Sequence, residues 1–412
     1  MAEADLVSFE LVVSRVGDDP AAAVDALSRA PAWPPFRAEA AAFVAALSAD
    51  IMRSPQARQH PEMIAFAYRM RRQALLELQA SLQPSGTGGV LRGRGLALHF
   101  APANVDTIFL YSLMLSLLAG NANVVRLSSR TGEQVSLVLD LLAARLDDPA
   151  YAALRDRVLI VRYEHSDAVT ARLSALADLR VVWGGDNAVA AIRRAPLRPL
   201  ARDVVFPDRW SMAVLDAHSF LAANDPGDIA RGFVNDAYWF GQMACSSPRL
   251  VVWLGDDRQA EAAADRFYAL VHEHAERFRA ELQQIDYVNK RVFEDGTAAD
   301  HAGVRVSAGD GLVSRIDLPF DELGEPESHC GGGAFVNSRV ERLEDLAPLL
   351  ARKLQTVVSF GVPGDAWRRL LSEQPVGGVD RIVAPGAALD FNAVWDGMNL
   401  LREFTRETTV AV

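Results

Sequence analysis

Leu118-Ala119-Gly120-Asn121-Ala122-Asn123-Val124-Val125-Arg126-Leu127-Ser128-Ser129 holds the end of a helix, a turn, a strand and a polar loop in twelve residues. The apolar run 108–119 is too short to span a bilayer and predicts a buried helix. Residues 123–127 predict a strand, and so do 96–100, 157–162 and 179–183, with amphipathic segments between them. Continued to about residue 214, this alternation predicts a parallel, doubly wound sheet. Ligands of such sheets bind beyond the carboxyl ends of the strands, where loops and helix starts offer backbone N–H groups. That rule selects the loops 101–106, 128–132 and 184–186.

On the amino-terminal side, residues 1–90 form an Ala-rich, helical region broken by Pro31, Pro34 and Pro35. The glycine-rich stretch 84–89 closes it as a hinge, since it completes no phosphate-binding fingerprint. On the carboxyl side a second α/β unit begins near residue 217. It has helices expected at 228–240 and 258–282 and strands at 250–254, 334–337 and 356–360. The expected organisation is therefore a helical region 1–90, a cofactor-type domain 91–216, a second α/β domain 217–364 and a tail 365–412 suited to oligomerisation.

With 412 residues, half of them hydrophobic, the chain can bury large cores in more than one domain. Net charge is −11 and the 42 basic residues are dispersed, so no nucleic-acid partner is expected. The acidic start Met1-Ala2-Glu3-Ala4-Asp5 lacks the features of a signal peptide, and a cytoplasmic location is expected. No membrane span is expected either. Two cysteines, Cys245 and Cys330, make neither a disulfide framework nor a cysteine-rich zinc site.

The chemistry concentrates in Trp239-Phe240-Gly241-Gln242-Met243-Ala244-Cys245-Ser246-Ser247-Pro248-Arg249, which sets a cysteine in a small-residue turn between a helix and a strand. A free cysteine is more often a small buried hydrophobe. A thiol at such a junction can nevertheless reach a substrate and exchange acyl groups with other thiols. Cys245 is the candidate nucleophile. His272 and His274 flank Glu273 in a helical run, and their spacing points them to different faces, so no shared metal is expected. Cys330, beside His329 and before Gly331-Gly332-Gly333, is the minor alternative nucleophile.

Taken in order, these landmarks resemble the aldehyde dehydrogenase superfamily, and within it the acyl-CoA reductases of the bioluminescence fatty-acid reductase type. The resemblance spans roughly residues 91–402. It rests on Pro102-Ala103-Asn104, on the 118–129 stretch with Arg126 in place of the usual lysine, on Gly184-Gly185, and on Gly241-Gln242-Met243-Ala244-Cys245. The subfamily is suggested by Cys245-Ser246-Ser247-Pro248, Lys353-Leu354-Gln355-Thr356-Val357, Gly378-Val379-Asp380-Arg381-Ile382-Val383 and Trp395-Asp396-Gly397. It implies an aldehyde-dehydrogenase-like fold, with a doubly wound cofactor domain, an α/β catalytic domain and a helical amino-terminal region.

The resemblance further implies that Cys245 accepts an acyl group and that the Asn104 amide, with the Cys245 backbone N–H, stabilises the oxyanion. Arg126, Ser128 and Ser129 would hold the adenosine ribose and a 2′-phosphate, because guanidinium pairs well with phosphate oxygens. Gly184 and Gly185 would lie beside the cofactor, and Glu327 would contact the nicotinamide ribose. NADPH is the expected cofactor, with NADH as the other possibility, and the substrate an acyl-CoA or acyl-carrier thioester. Acyl-transferring partner proteins and a homo-oligomer are expected on the same ground.

One departure is informative. Oxidising members of the superfamily carry a base glutamate between the glycine turn and the cysteine, whereas this interval reads Arg202-Asp203-Val204-Val205-Phe206-Pro207-Asp208-Arg209-Trp210. Without a positioned base a thioester resists water and stays available to hydride, which favours reduction to aldehyde. Asp203 and Asp208 are the acids that could substitute. A cysteine-dependent acyltransferase or thioesterase and a non-catalytic scaffold are the competing functions.

Overall fold

The computed structural model describes residues 10–14, 18–85, 88–102, 108–128, 132–324 and 329–411; Asn104, Ser129 and Glu327 lie outside them. The chain divides into two compact units, Met1–Asp208 with Phe391–Val412, and Arg209–Asp390.

The first unit contains β1 (Glu10–Val13), β2 (Gly89–Gly93), β3 (Leu96–Phe100), β4 (Ala122–Leu127), β5 (Val158–Arg162), β6 (Leu179–Trp183) and β7 (Arg202–Phe206). Six of them form a sheet in the order β1-β5-β4-β3-β6-β7, parallel except for the antiparallel edge β1. Helices dominate the region before residue 84, as expected, and β1 adds a strand at its start. Every residue of the helix Ile108–Leu118 is buried, as its unbroken apolar run requires. Past its end comes Gly120 at φ +93°, where a Cβ would overlap the Trp33 carbonyl. Asn121, fully buried, then accepts from the Arg94 and Gly95 N–H groups at 2.7 and 3.2 Å. The quoted stretch thus turns the chain from helix to strand through a glycine and a satisfied amide.

The second unit contains β8 (Trp210–Asp216), β9 (Pro248–Leu254), β10 (Arg305–Ser307), β11 (Ser314–Asp317), β12 (Ala334–Val340), β13 (Leu354–Phe360) and β14 (Arg381–Val383). Their order is β10-β11-β12-β9-β8-β13-β14, parallel except at β10. Phe220, Phe233, Trp253 and Phe267 pack edge to face in one core cluster of this unit, and Trp210, Met212, Leu354 and Trp367 belong to another.

The division differs from the expected boundaries at 216/217 and 364/365. Strand β8 hydrogen-bonds to β9 and β13 and so belongs to the second sheet. The tail is shared out: the helix Gly364–Glu373 and β14 stay in the second unit. β15 (Val394–Trp395), β16 (Met398–Asn399) and β17 (Thr405–Thr409) return to the first, where β17 pairs with β2. Among the described residues no helix is long and apolar enough to cross a membrane.

Candidate active site

The helix Pro226–Tyr238 leads to the cysteine. Asp225 caps it, its carboxylate accepting from the Asp228 N–H at 3.0 Å, and Pro226 pre-sets its first turn. Ile229, Ala230, Phe233, Val234 and Ala237 form its buried face. The chain then breaks sharply, because Phe240, Gly241 and Gln242 all adopt positive φ, 55°, 59° and 66°. Two of the three are not glycine, and each such residue costs about 1–2 kcal/mol unless its surroundings hold it.

Those surroundings are visible. The Gln242 side chain is fully buried; its Nε2 donates to the carbonyls of Pro248 and Ala334 at 3.0 and 2.9 Å, and its Oε1 accepts from the Gly333 N–H at 2.9 Å. The Gly332 N–H donates to the Gly241 carbonyl at 3.0 Å. Ser247 closes the far side, its hydroxyl donating to the Asp236 carbonyl at 2.8 Å. The loop carrying Cys245 is therefore pinned at both ends.

Cys245 is half-buried. Its carbonyl accepts from the Ser211 hydroxyl at 2.7 Å, and its Sγ accepts from Gln355 Nε2 at 3.2 Å. Strands β8 and β13 thus reach the cysteine from its backbone and its sulfur. Neither Ser211 nor Gln355 was expected as a site residue, although Gln355 lies in the Lys353–Val357 stretch that suggested the subfamily; the local signal was the polar pair Gln355-Thr356 within a largely apolar strand.

Cys330, the minor alternative nucleophile, lies in a setting that disfavours its thiolate. Burial pushes its thiol up to about 11, so it stays protonated near neutrality. The neighbouring His329 is no base for it: Nε2 donates to the Ala334 carbonyl at 3.1 Å and Nδ1 accepts from the Gly331 N–H at 3.0 Å. Burial, helped by nearby Arg249, pushes this imidazole down to about 3. His272 pairs with Asp310 at 3.1 Å on the surface. Among the described residues no group of three or more His, Cys, Asp or Glu is placed to hold a metal.

The remaining expected site residues that the structure describes, Arg126, Ser128, Gly184 and Gly185, lie in the first unit. Arg126 occupies the carboxyl-terminal part of β4, donates to the Tyr163 carbonyl at 3.3 Å and sits 5.2 Å from that ring's centroid. Among the described residues it forms no ion pair with a carboxylate. Ser128 follows the strand, half-buried. Gly184 and Gly185 follow β6 and open the helix Asp186–Arg193, with the Gly184 N–H donating to the Phe206 carbonyl at 3.2 Å.

The acids of the 202–210 interval are already engaged. Asp203 accepts from Arg180 at 3.0 and 2.9 Å and pairs with Arg193 at 3.3 Å. Asp208 accepts from the Asp186 N–H at 3.0 Å, while its own N–H donates to the Asp186 carboxylate at 3.2 Å.

A separate cavity of about 640 Å³ opens at the carboxyl ends of β9, β11 and β12, whereas Cys245 precedes the amino end of β9. Its arginines are neutralised within the wall, Arg305 by Glu261 at 3.0 Å and Arg315 by Asp317 at 2.7 Å. The candidate nucleophile lies at the other end of the sheet.

Two relatives are the long-chain acyl-protein thioester reductase of Aliivibrio fischeri, 22% identical over 302 residues, and long-chain acyl-protein thioester reductase 2 of Photobacterium leiognathi, 24% identical over 169 residues. The first match covers 71% of this chain and 58% of the relative, the second 40% and 33%. The chain thus spans less than two thirds of either relative. Among solved structures, methylmalonate-semialdehyde dehydrogenase from Oceanimonas doudoroffii superposes with a TM-score of 0.66 at 14% identity, covering 95% of this chain and 89% of that one. Betaine aldehyde dehydrogenase from Staphylococcus aureus gives 0.66 at 14% identity, covering 99% and 92%. The fold is that of the aldehyde dehydrogenases. The family model described as acyl-CoA reductase (LuxC) matches residues 89–300, more than half of the sequence, and the chain belongs to that family.

Proposed function

We propose that this chain reduces a fatty acyl thioester, on coenzyme A or an acyl carrier, to the aldehyde through an acyl group held on Cys245. The observation that carries this reading is the Cys245 sulfur, half-buried on a pinned loop and accepting a hydrogen bond at 3.2 Å. As thiolate it attacks the thioester carbonyl carbon; a carbon–sulfur bond forms to Cys245, and the carrier's carbon–sulfur bond breaks with its electron pair leaving on the carrier thiolate. The Asn104 amide and the Cys245 N–H are the donors expected for the oxyanion, and losing one such donor costs about 3–4 kcal/mol of barrier.

A base that would spend the thioester on water is lacking where the oxidising relatives have one. Asp203 is held by two guanidinium groups and Asp208 by a helix N–H, which supports reduction over hydrolysis. Reduced nicotinamide, when bound, supplies the hydride that converts the acyl group to aldehyde and returns Cys245 as thiolate. Arg126 fits the adenosine 2′-phosphate of NADPH because its guanidinium is held by a carbonyl and an aromatic face, leaving its charge available to an anion. Ser128 and Ser129 would assist there, with Gly184, Gly185 and Glu327 toward the nicotinamide. An acyl-protein partner and self-assembly belong to the same proposal.

Mixing the protein with acyl-CoA and NADPH while following nicotinamide absorbance and free thiol tests it. Both signals should move together, and Cys245→Ala should abolish both. Full turnover in that variant would overturn the proposal. Thiol release without nicotinamide oxidation would point to acyl transfer, and silence in both signals to a scaffold.

A further inference from the structure

Strand β13 carries an irregularity at the site. Leu354 pairs with Trp210 and Val357 with Met212, so two residues, Gln355 and Thr356, stand opposite the single residue Ser211. That is a β-bulge within a parallel pairing, where bulges are rare, and bulges re-aim side chains beside active sites. A second shift lies between β8 and β9 at the same level, where Ser211 pairs with Pro248 and Met212 with Leu250. Both irregularities converge on Cys245.

We propose that Gln355 is the donor that holds the Cys245 sulfur in its anionic form, before acyl transfer and again when the aldehyde departs. This rests on the acyl-enzyme reading above. Gln355 is 1% exposed, and burying an amide is unfavourable unless both ends are matched. Its Oε1 accepts from the Thr356 hydroxyl at 3.3 Å, which turns Nε2 toward the sulfur. The bulge is fastened in turn, since the Thr356 N–H donates to Ser211 Oγ at 3.1 Å and that hydroxyl donates to the Cys245 carbonyl.

An N–H donor bonds an anion more strongly than a neutral sulfur. Gln355 therefore stabilises thiolate relative to both thiol and thioester. The same contact raises the anionic fraction available for attack and favours sulfur as the leaving group when the aldehyde carbonyl re-forms.

The test uses the whole chain and needs no substrate: the pH dependence of iodoacetamide alkylation at Cys245, read by mass spectrometry of its peptide, with the Cys330 peptide as internal control. Gln355→Met removes the donor at similar length, and Gln355→Glu keeps the shape but presents an anion. The alkylation midpoint should rise by about one pH unit in Gln355→Met, with alkylation near neutrality about tenfold slower, and rise further in Gln355→Glu. Aldehyde formation by Gln355→Met should recover as pH is raised. Unchanged midpoints in both folded variants would overturn the role, even where activity falls. Failure of the reductase proposal shows separately, as absence of aldehyde from the unaltered protein while the alkylation shift persists.

Discussion

Gln242 shows how one side chain can hold the loop that carries the candidate nucleophile in an unfavourable conformation. Its backbone is left-handed, its neighbours Phe240 and Gly241 are too, and its amide satisfies one buried N–H and two carbonyls. An apolar residue of similar size would fill the volume and strand all three groups. Leaving a buried polar group unsatisfied costs about 1–3 kcal/mol. Gln242→Leu is therefore expected to lower unfolding free energy by about 3–5 kcal/mol in urea titrations, after partial relaxation of the loop. Cys245 alkylation should change in the same variant, since the sulfur would no longer be held against Gln355. A variant of normal stability would show that the amide network contributes nothing net.

At the scale of elements, the site joins two unusual turns. Gly331, Gly332 and Gly333 have φ of 71°, 64° and 85°, and they face the left-handed run Phe240–Gln242. A Cβ on Gly333 would collide with the Tyr238 hydroxyl and approach the Leu312 carbonyl to 2.6 Å, whereas one on Gly332 meets nothing closer than 3.7 Å. Gly332→Ala should cost about 1–2 kcal/mol for its backbone conformation alone, and Gly333→Ala clearly more, as thermal melts of the two would show. Equal losses would mean that the turns adjust freely. Strands such as Leu96–Phe100 and Leu179–Trp183 were plain in the sequence because both are buried throughout and read as apolar runs broken by a single polar residue each, His99 and Arg180. The helix Gln284–Asp300 was not, because its pattern is inverted: Lys290 and Glu294 are buried while Ile285, Val288 and Val292 are exposed. Lys290 turns inward to donate to the Gly311 and Gly332 carbonyls, a tertiary demand that no periodicity announces. The turn and flanking elements of the candidate Cys245 were legible, but the contact that Gln355 makes with its sulfur was not, since a one-residue bulge is a property of strand pairing rather than of either strand.

Across the whole molecule, each unit buries a titratable group whose proton balance opposes the other's. In the first, His99 is 1% exposed and its ring is neutral, burial pushing it down to about 4. Its tautomer is fixed: Asn123 Nδ2 donates to the Asn121 carbonyl, so Asn123 Oδ1 must accept from His99 Nε2, and Nδ1 accepts from the Ser112 hydroxyl at 2.8 Å. In the second, Asp236 is 1% exposed and burial pushes its carboxyl up to about 7, against two N–H donors, Gly386 at 2.6 Å and Ala388 at 2.9 Å. Between pH 5 and 6 the unfolded chain protonates the histidine and the folded one does not, so this stability is present above pH 6.5 and is lost as pH falls toward 4. Asp236 has the reverse sign: folded it keeps a proton that the unfolded chain releases, so its contribution is present below pH 3.8 and is lost as pH rises through 7. Each buried group alters the slope of stability against pH by up to about 1.4 kcal/mol per unit. His99→Gln should therefore make stability rise less steeply from pH 5 to 6, and Asp236→Asn should make it rise more steeply, whatever the absolute loss in either variant. Denaturant titrations across that interval measure both slopes, and a change of the same sign in the two would show that at least one of these groups does not carry the charge state assigned to it.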